Sequence, residues 1–254
     1  MNEILLYFSV KYEGDFELIF KAIMNKEKCD EESIKEVVNN INCLYTTVIS
    51  DNYPKKLKHL HCPPFVLYYS GNLELINNKT IGVIGSRNNS KYGEDFTNKL
   101  VTGLVENNYV IVSGLAKGID SISHEACINN NGKTIAVLGN GIDNYYPYQN
   151  KDLQDEISRT GLVISEYPPF IKPKKEYFPK RNRIIAAISD SLIVVEAKRN
   201  SGTMITVNEA LNLGKDIMCV PSRPSINSGC NYLIKNGAYL IEGVNDVLDI
   251  LNDK

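Results

Sequence analysis

The 254-residue sequence predicts an α/β fold: a doubly wound, mostly parallel sheet preceded by a small helical region. Two observations carry this. Strand-length apolar runs recur at Thr80–Ile84, Tyr109–Ser113, Thr134–Leu138, Leu162–Ser165, Leu192–Val195, Ile217–Val220 and Ala238–Ile241, with helix-length segments between most of them. The runs are also apolar throughout rather than alternating, which suits strands covered on both faces. Folds of this kind bind ligands outside the carboxyl ends of their strands. The residues that follow each run are therefore where chemistry is expected.

Residues 1–43 read as a short helical N-terminal region. Ile4, Leu5 and Phe8, then Phe16, Leu18, Ile19 and Ile23, have the spacing of amphipathic helices. Asp30-Glu31-Glu32-Ser33 supplies acids suited to a further helix start, with Ile34, Val37, Val38 and Ile41 on one face. This region is expected to be a cap without chemistry. Residues 44–254 form the second unit, beginning with predicted strands at Tyr45–Ile49 and Phe65–Tyr69 around an Asp51-Asn52-Tyr53-Pro54 turn. The lysines and histidines of 55–61 between those strands are read as a solvated face, with contact to a polyanion as the alternative.

From Thr80 the pattern is regular, and the turns after the strands form a series. Gly85-Ser86-Arg87 follows the first apolar run and leads towards a helix carrying Phe96, Leu100 and Leu104. A turn of this type offers backbone N–H groups, and Arg87 adds a planar guanidinium able to hold two phosphate oxygens. After the next run, Ser113, Gly114, Lys117 and Gly118 make a second candidate phosphate turn, with Asp120 or Ser121 capping the following helix. Gly139-Asn140-Gly141 and Tyr145-Tyr146-Pro147 follow the third run, Ser165-Glu166 the fourth, and Glu196-Ala197 the fifth. Ser201-Gly202-Thr203 then opens a helix whose first N–H groups form a further anion niche. Glu166 and Glu196 are expected to accept loop N–H groups, although a general base is the competing role.

The densest charge lies in Ile171-Lys172-Pro173-Lys174-Lys175-Glu176-Tyr177-Phe178-Pro179-Lys180-Arg181-Asn182-Arg183. Cations interleaved with aromatics are what a single strand of nucleic acid requires, for its phosphates and its unstacked bases. A solvated basic loop with Phe178 plugged into the core is the competing reading. The net charge of −2 excludes a globally basic nucleic-acid coat, so any polyanion site must be local. Six scattered cysteines without a CxxC pair point to reduced thiols of a cytoplasmic protein, with no metal site. No apolar run approaches the length of a membrane span.

No catalytic set emerges. The sequence has no GxSxG, HExxH or GxxxxGK[ST], and His124 is read as a helix residue steadying the Gly118 turn. Gly85-Ser86-Arg87 also lacks the GxGxxG glycines, which disfavours a nucleotide cofactor.

Taken in order, these blocks resemble the DNA-processing protein A (DprA, or Smf) family. The shared pattern runs from Asp51-Asn52-Tyr53-Pro54 through Gly85-Ser86-Arg87, Ser113–Asp120, Leu138–Asp143, Phe178–Ile185 and Ser201-Gly202-Thr203 to Leu233–Ala238 and Asn245. It covers about three-quarters of the chain. The resemblance implies an extended Rossmann-like fold that binds single-stranded DNA without sequence preference. It also implies a homodimer that loads the RecA recombinase on incoming strands in natural transformation, with no enzymatic turnover. It assigns DNA contact to Ser86, Arg87, Lys117, Phe178, Arg181 and Arg183, with Lys175 and Lys180 as further candidates, and the strand-end turns and the basic segment add Ser113, Gly114, Gly118, Asn182, Ser201, Gly202 and Thr203 to the expected DNA-binding set. The dimer interface is sought among apolar surface residues of the final third. One departure is Pro221-Ser222, where many relatives have Pro-Gly. The competing functions are a Rossmann-like nucleotide phosphoribohydrolase, loosely imitated by Gly202-Thr203 and Glu209, and a small-nucleotide sensor.

Overall fold

The computed structural model describes residues 1–224 and 227–252. Three helices come first: α1 (Asn2–Lys11), α2 (Phe16–Met24) and α3 (Glu31–Asn40). They are followed by β1 (Leu44–Thr47), β2 (Val66–Gly71), β3 (Thr80–Ile84), α4 (Lys91–Glu106), β4 (Val110–Ser113), α5 (Ile119–Asn129) and β5 (Thr134–Val137). Next come α6 (Lys151–Thr160), β6 (Leu162–Ser165), α7 (Tyr177–Ile188), β7 (Ser191–Val194) and α8 (Gly202–Asn212). The chain closes with β8 (Asp216–Cys219), α9 (Gly229–Lys235), β9 (Tyr239–Leu240) and α10 (Val244–Asn252).

The nine strands among the described residues join one sheet in the order β1-β2-β6-β5-β4-β3-β7-β8-β9. From β6 to β9 every pairing is parallel, while β1 and β2 add an antiparallel edge. The chain winds outward from β3 in one direction as far as β6, then returns to start again at β7 beside β3. The crevice between β3 and β7 is thus the topological switch point, where ligands of such sheets bind. Both faces of the sheet are covered, as the continuous apolar runs require. Ile81, Val83 and Ile111 pack with Leu100, Leu104, Ile119 and Val247 on the side of α4, α5 and α10. Ile84, Val112, Val137 and Ile164 pack with Ile184, Ile188, Val207 and Leu233 on the side of α7, α8 and α9.

β3 and β6 coincide with their predicted runs. β7 and β8 each begin and end one residue earlier than predicted, although Val195 and Val220 still donate across the sheet to Ile84 O and Val194 O, both at 3.1 Å. Within 55–61 a short 3-10 turn, Lys55–His59, forms, and one of its lysines is structural. Lys56 pairs with Asp190 at 2.7 Å and donates to Thr80 Oγ1 at 2.8 Å, pinning the start of β3. In the N-terminal region Asp30 caps α3 through Ser33 N at 2.8 Å. Leu5 and Leu6 of α1 pack on Val66 and Tyr68 of β2, with Val37, Val38 and Ile41 of α3 against them.

Candidate nucleic-acid interface

A cleft of about 580 Å³ opens at the switch point. Gly85, Ser86 and Arg87 after β3 form one wall, and Lys198 with Ser201-Gly202-Thr203 after β7 forms another. Lys175, Phe178 and Asn182, from the start of α7 and the residues before it, close the third side. Arg87 is exposed, and its guanidinium carbon sits 5.9 Å from the centroid of the Phe178 ring. Phe178 is half-buried and lies 5.2 Å from the ring of Tyr146. Gly139 permits this placement, since a Cβ there would meet Phe178 Cδ1 at 2.7 Å. Phe178 is therefore neither a core plug nor free in solvent. It forms part of an aromatic floor with a cation over its face, which suits stacking against a base.

Anion chemistry in the cleft comes from the start of α8. Ser201 is its N-cap residue but makes no side-chain capping bond. Met204 N is taken by Ser201 O at 3.1 Å, and Gly202 and Thr203, which line the cleft, bring the helix start and the positive end of its dipole to it. Thr203 Oγ1 donates to Gly85 O at 3.2 Å and ties this helix start to the β3 loop. The start of α4 is different. It begins at Lys91, four residues beyond Arg87, and Ser90 caps it through Gly93 N at 3.1 Å. Glu196 Oε2 also accepts from Ser90 N at 2.9 Å, so a carboxylate of the protein already fills that helix end. Glu196 thus takes the expected N–H-accepting role. The expected helix-dipole phosphate seat after β3 moves to α8.

Several residues assigned to DNA from the sequence are placed elsewhere. Ser113 is fully buried and donates to Val83 O at 2.7 Å, stitching β4 to β3. Arg181 is only 3% exposed, beneath the cleft. It spends its guanidinium on Gly114 O at 2.6 Å and on Val137 O, so Arg181 and Gly114 brace the strand ends. Burial pushes Arg181 down to about 10, which leaves it charged at neutral pH. Asp120 beside it is raised by burial, and Arg181 together with the Ala116 and Gly114 N–H groups opposes that rise. Asp120 thereby uses loop N–H groups that phosphate would otherwise have met. Gly118 is the N-cap of α5 at φ +79°, where a Cβ would strike Ser86 O. Lys117 is exposed but stands outside the cleft lining.

His124 does not steady the Gly118 turn. It is fully buried, and its Nδ1 lies 2.6 Å from Thr134 Oγ1. That hydroxyl already donates to Ile111 O, so Nδ1 carries the proton and Nε2 is bare.

The remaining cations meet acids. Arg183 forms a two-pronged pair with Glu166, at 2.9 and 2.7 Å, on the opposite side of α7 from the cleft. Burial acts to lower the Arg183 pKa, but the attraction of Glu166 outweighs it and leaves the group raised. Lys180 pairs with Asp15 at 2.9 Å, while Lys174 and Tyr177 both bond Glu13. The loop between α1 and α2 thus neutralises two of the six cations of the basic segment, and the N-terminal region is more than a passive cap. Glu13 is lowered by its bonds with Lys174 and Tyr177. At Asp15 burial acts upward, and Lys180 with the Leu18 N–H reverses it. Arg87, Lys175 and Lys198 make no ion pair among the described residues, and these three cations face the cleft.

Sequence reasoning missed Lys198 and gave no role to Tyr146. The available signal was position: both lie in the loops that follow parallel strands, Lys198 after β7 and Tyr146 after β5. Glu209, which suggested a hydrolase, lines the neighbouring cleft beside α2 rather than this one. Among the described residues no His/Cys/Asp/Glu group could hold a metal, and no helix is long and apolar enough to cross a membrane.

A family model described as DNA recombination-mediator protein A matches residues 44–252. DNA processing protein DprA of Streptococcus pneumoniae is 46% identical over 204 residues, 80% of this chain and 72% of that protein. The crystal structure of DprA from the same species superposes with a TM-score of 0.84 at 35% identity, covering 98% of this chain and 97% of that one. DNA processing protein A of Helicobacter pylori, whose single-stranded DNA binding mode has been described structurally, gives a TM-score of 0.76 at 32% identity, over 84% and 97% of the two chains.

Proposed function

The chain belongs to the DNA recombination-mediator protein A family, and on that premise we propose that it binds single-stranded DNA in the switch-point cleft. The observation that carries the reading is the gathering of three cations without an ion pair among the described residues, Arg87, Lys175 and Lys198, around an aromatic floor and a helix start without a side-chain cap. Phosphates find point charges and N–H groups, while bases find the faces of Phe178 and Tyr146. None of these contacts reads a base edge, which accounts for binding without sequence preference. The only carboxyl among the cleft-lining residues, Asp120, is buried beside Arg181 and engaged with loop N–H groups, which supports a binding role over a catalytic one.

From the family role, the bound strand is passed to the RecA recombinase during natural transformation, in the cytoplasm, by a homodimer. Fluorescence anisotropy with labelled oligo-dT tests the primary claim. Salt-dependent binding of oligo-dT in preference to duplex of the same length is expected, and equal affinity for both would reject it.

A further inference from the structure

The two flanks of the cleft differ in charge balance. Towards β6, Lys174, Lys180 and Arg183 are matched by Glu13, Asp15 and Glu166. Towards β8, the loop after β7 carries Lys198 and Arg199, both exposed, and neither pairs with a carboxylate among the described residues. A polyanion crossing the switch point therefore meets unneutralised charge on the β8 side.

That loop is held in place. Gly229 N donates to Ala197 O at 2.7 Å and Arg199 N to Asn227 O at 3.1 Å, around an antiparallel bridge between Lys198 and Ser228. Ser201 Oγ donates to Lys198 O at 2.8 Å and closes the far end. Lys198 lines the cleft, while the guanidinium carbon of the adjacent Arg199 lies 4.6 Å from the centroid of the Tyr232 ring on α9. Tyr232 is 40% exposed, and neither side chain belongs to a core cluster. A guanidinium stacked on an aromatic ring, presented at the surface beside a phosphate-binding cleft, matches the platform on which unstacked bases pack.

We infer that a strand leaving the cleft past Lys198 places its next base on the Arg199–Tyr232 pair, which extends the binding site from the switch point towards β8. The inference rests on the single-strand reading of the cleft. The pair would take any base, since a stacked guanidinium and a phenol ring present no base-specific edge.

The test uses the full chain and an oligo-dT series of roughly 4 to 16 nucleotides, the range of site sizes on such surfaces. Arg199→Ala and Tyr232→Ala are expected to match the unaltered protein on the shortest oligomers. On the longest they should lose about fivefold or more in affinity, the lower limit for a lost stack. Arg87→Ala should weaken binding at every length. The chain has no tryptophan, so Tyr232→Trp supplies a single emitter at the site, and its emission should change when a long oligomer binds. If Arg199→Ala and Tyr232→Ala bind all lengths like the unaltered chain while Arg87→Ala is impaired, the inference fails and the cleft reading stands. If the unaltered chain binds no oligo-dT, both fail together.

Discussion

Neutralising the two acids between α1 and α2 should make binding of single-stranded DNA tighter and more sensitive to salt. The perturbation is the double substitution Glu13→Gln with Asp15→Asn. Glutamine keeps a partner for Tyr177, which bonds Glu13 at 2.8 Å, and asparagine preserves the α2 cap, which Asp15 makes to Leu18 N at 3.2 Å. Only the charges on Lys174 and Lys180 are released. Each additional lysine contact to a single strand steepens the slope of log K against log salt by about 0.7, so two add about 1.4. Across a fourfold rise in salt the variant should lose about sevenfold more affinity than the unaltered protein, a factor that follows from the same slope. Its stability should change little, since the paired side chains retain 30–53% exposure and solvent screens surface pairs. Anisotropy titrations with oligo-dT at several salt concentrations give the slopes directly. An unchanged slope would mean that Lys174 and Lys180 lie off the strand's path, and the reasoning would be refuted.

Arg87→Ala should reduce the salt slope by about 0.7 and weaken oligo-dT binding while leaving the melting temperature in place, because Arg87 is exposed. Glu166→Gln leaves the Arg183 charge, whose side chain is 14% exposed, without its carboxylate. A loss of about 3–5 kcal/mol in urea unfolding is expected, and a loss under about 1 kcal/mol would show that the pair is not a true buried one. Burial holds His124 at about 3 in the fold, whereas the unfolded chain takes up its proton near the usual value of 6.5. Stability from this group is therefore complete above pH 6.5 and declines as pH falls towards 3, by about 1.4 kcal/mol per pH unit. Thermal melts between pH 7 and pH 5 should show this decline, and His124→Gln should flatten it.

The sheet was legible because its strands advertise themselves. The run Thr80–Ile84 is apolar and ends at a glycine that begins the loop, and Leu162–Ser165 ends at a glutamate. The ligand edge followed from topology, and Arg87, Lys175, Phe178 and Ser201-Gly202-Thr203 meet there. Two features could not be read from the local sequence. Arg181 and Arg183 look equivalent in a basic stretch, yet on a helix of 3.6 residues per turn they point about 200° apart. One faces the strand ends and the other faces Glu166. The acids that neutralise Lys174 and Lys180 lie 161 and 165 residues away along the chain, beyond the reach of any pattern within the segment. The helix start of α4 misled for a related reason, since its anion arrives from the far side of the switch point as Glu196.

α7 is a partition between two chambers. Pro179 near its start lines both the switch-point cleft and the adjoining cleft beside α2, as does Ile205 of α8. Phe178 and Asn182 look into the first chamber, and Lys180 and Arg183 into the second. A strand seated against Phe178 and a molecule bound beside Glu13 and Asp15 would therefore contact the same helix from opposite sides. Whatever free energy one transmits to the other is equal in both directions, so a molecule that shifts the N-terminal loop changes the grip on DNA by the factor with which DNA changes the grip on that molecule.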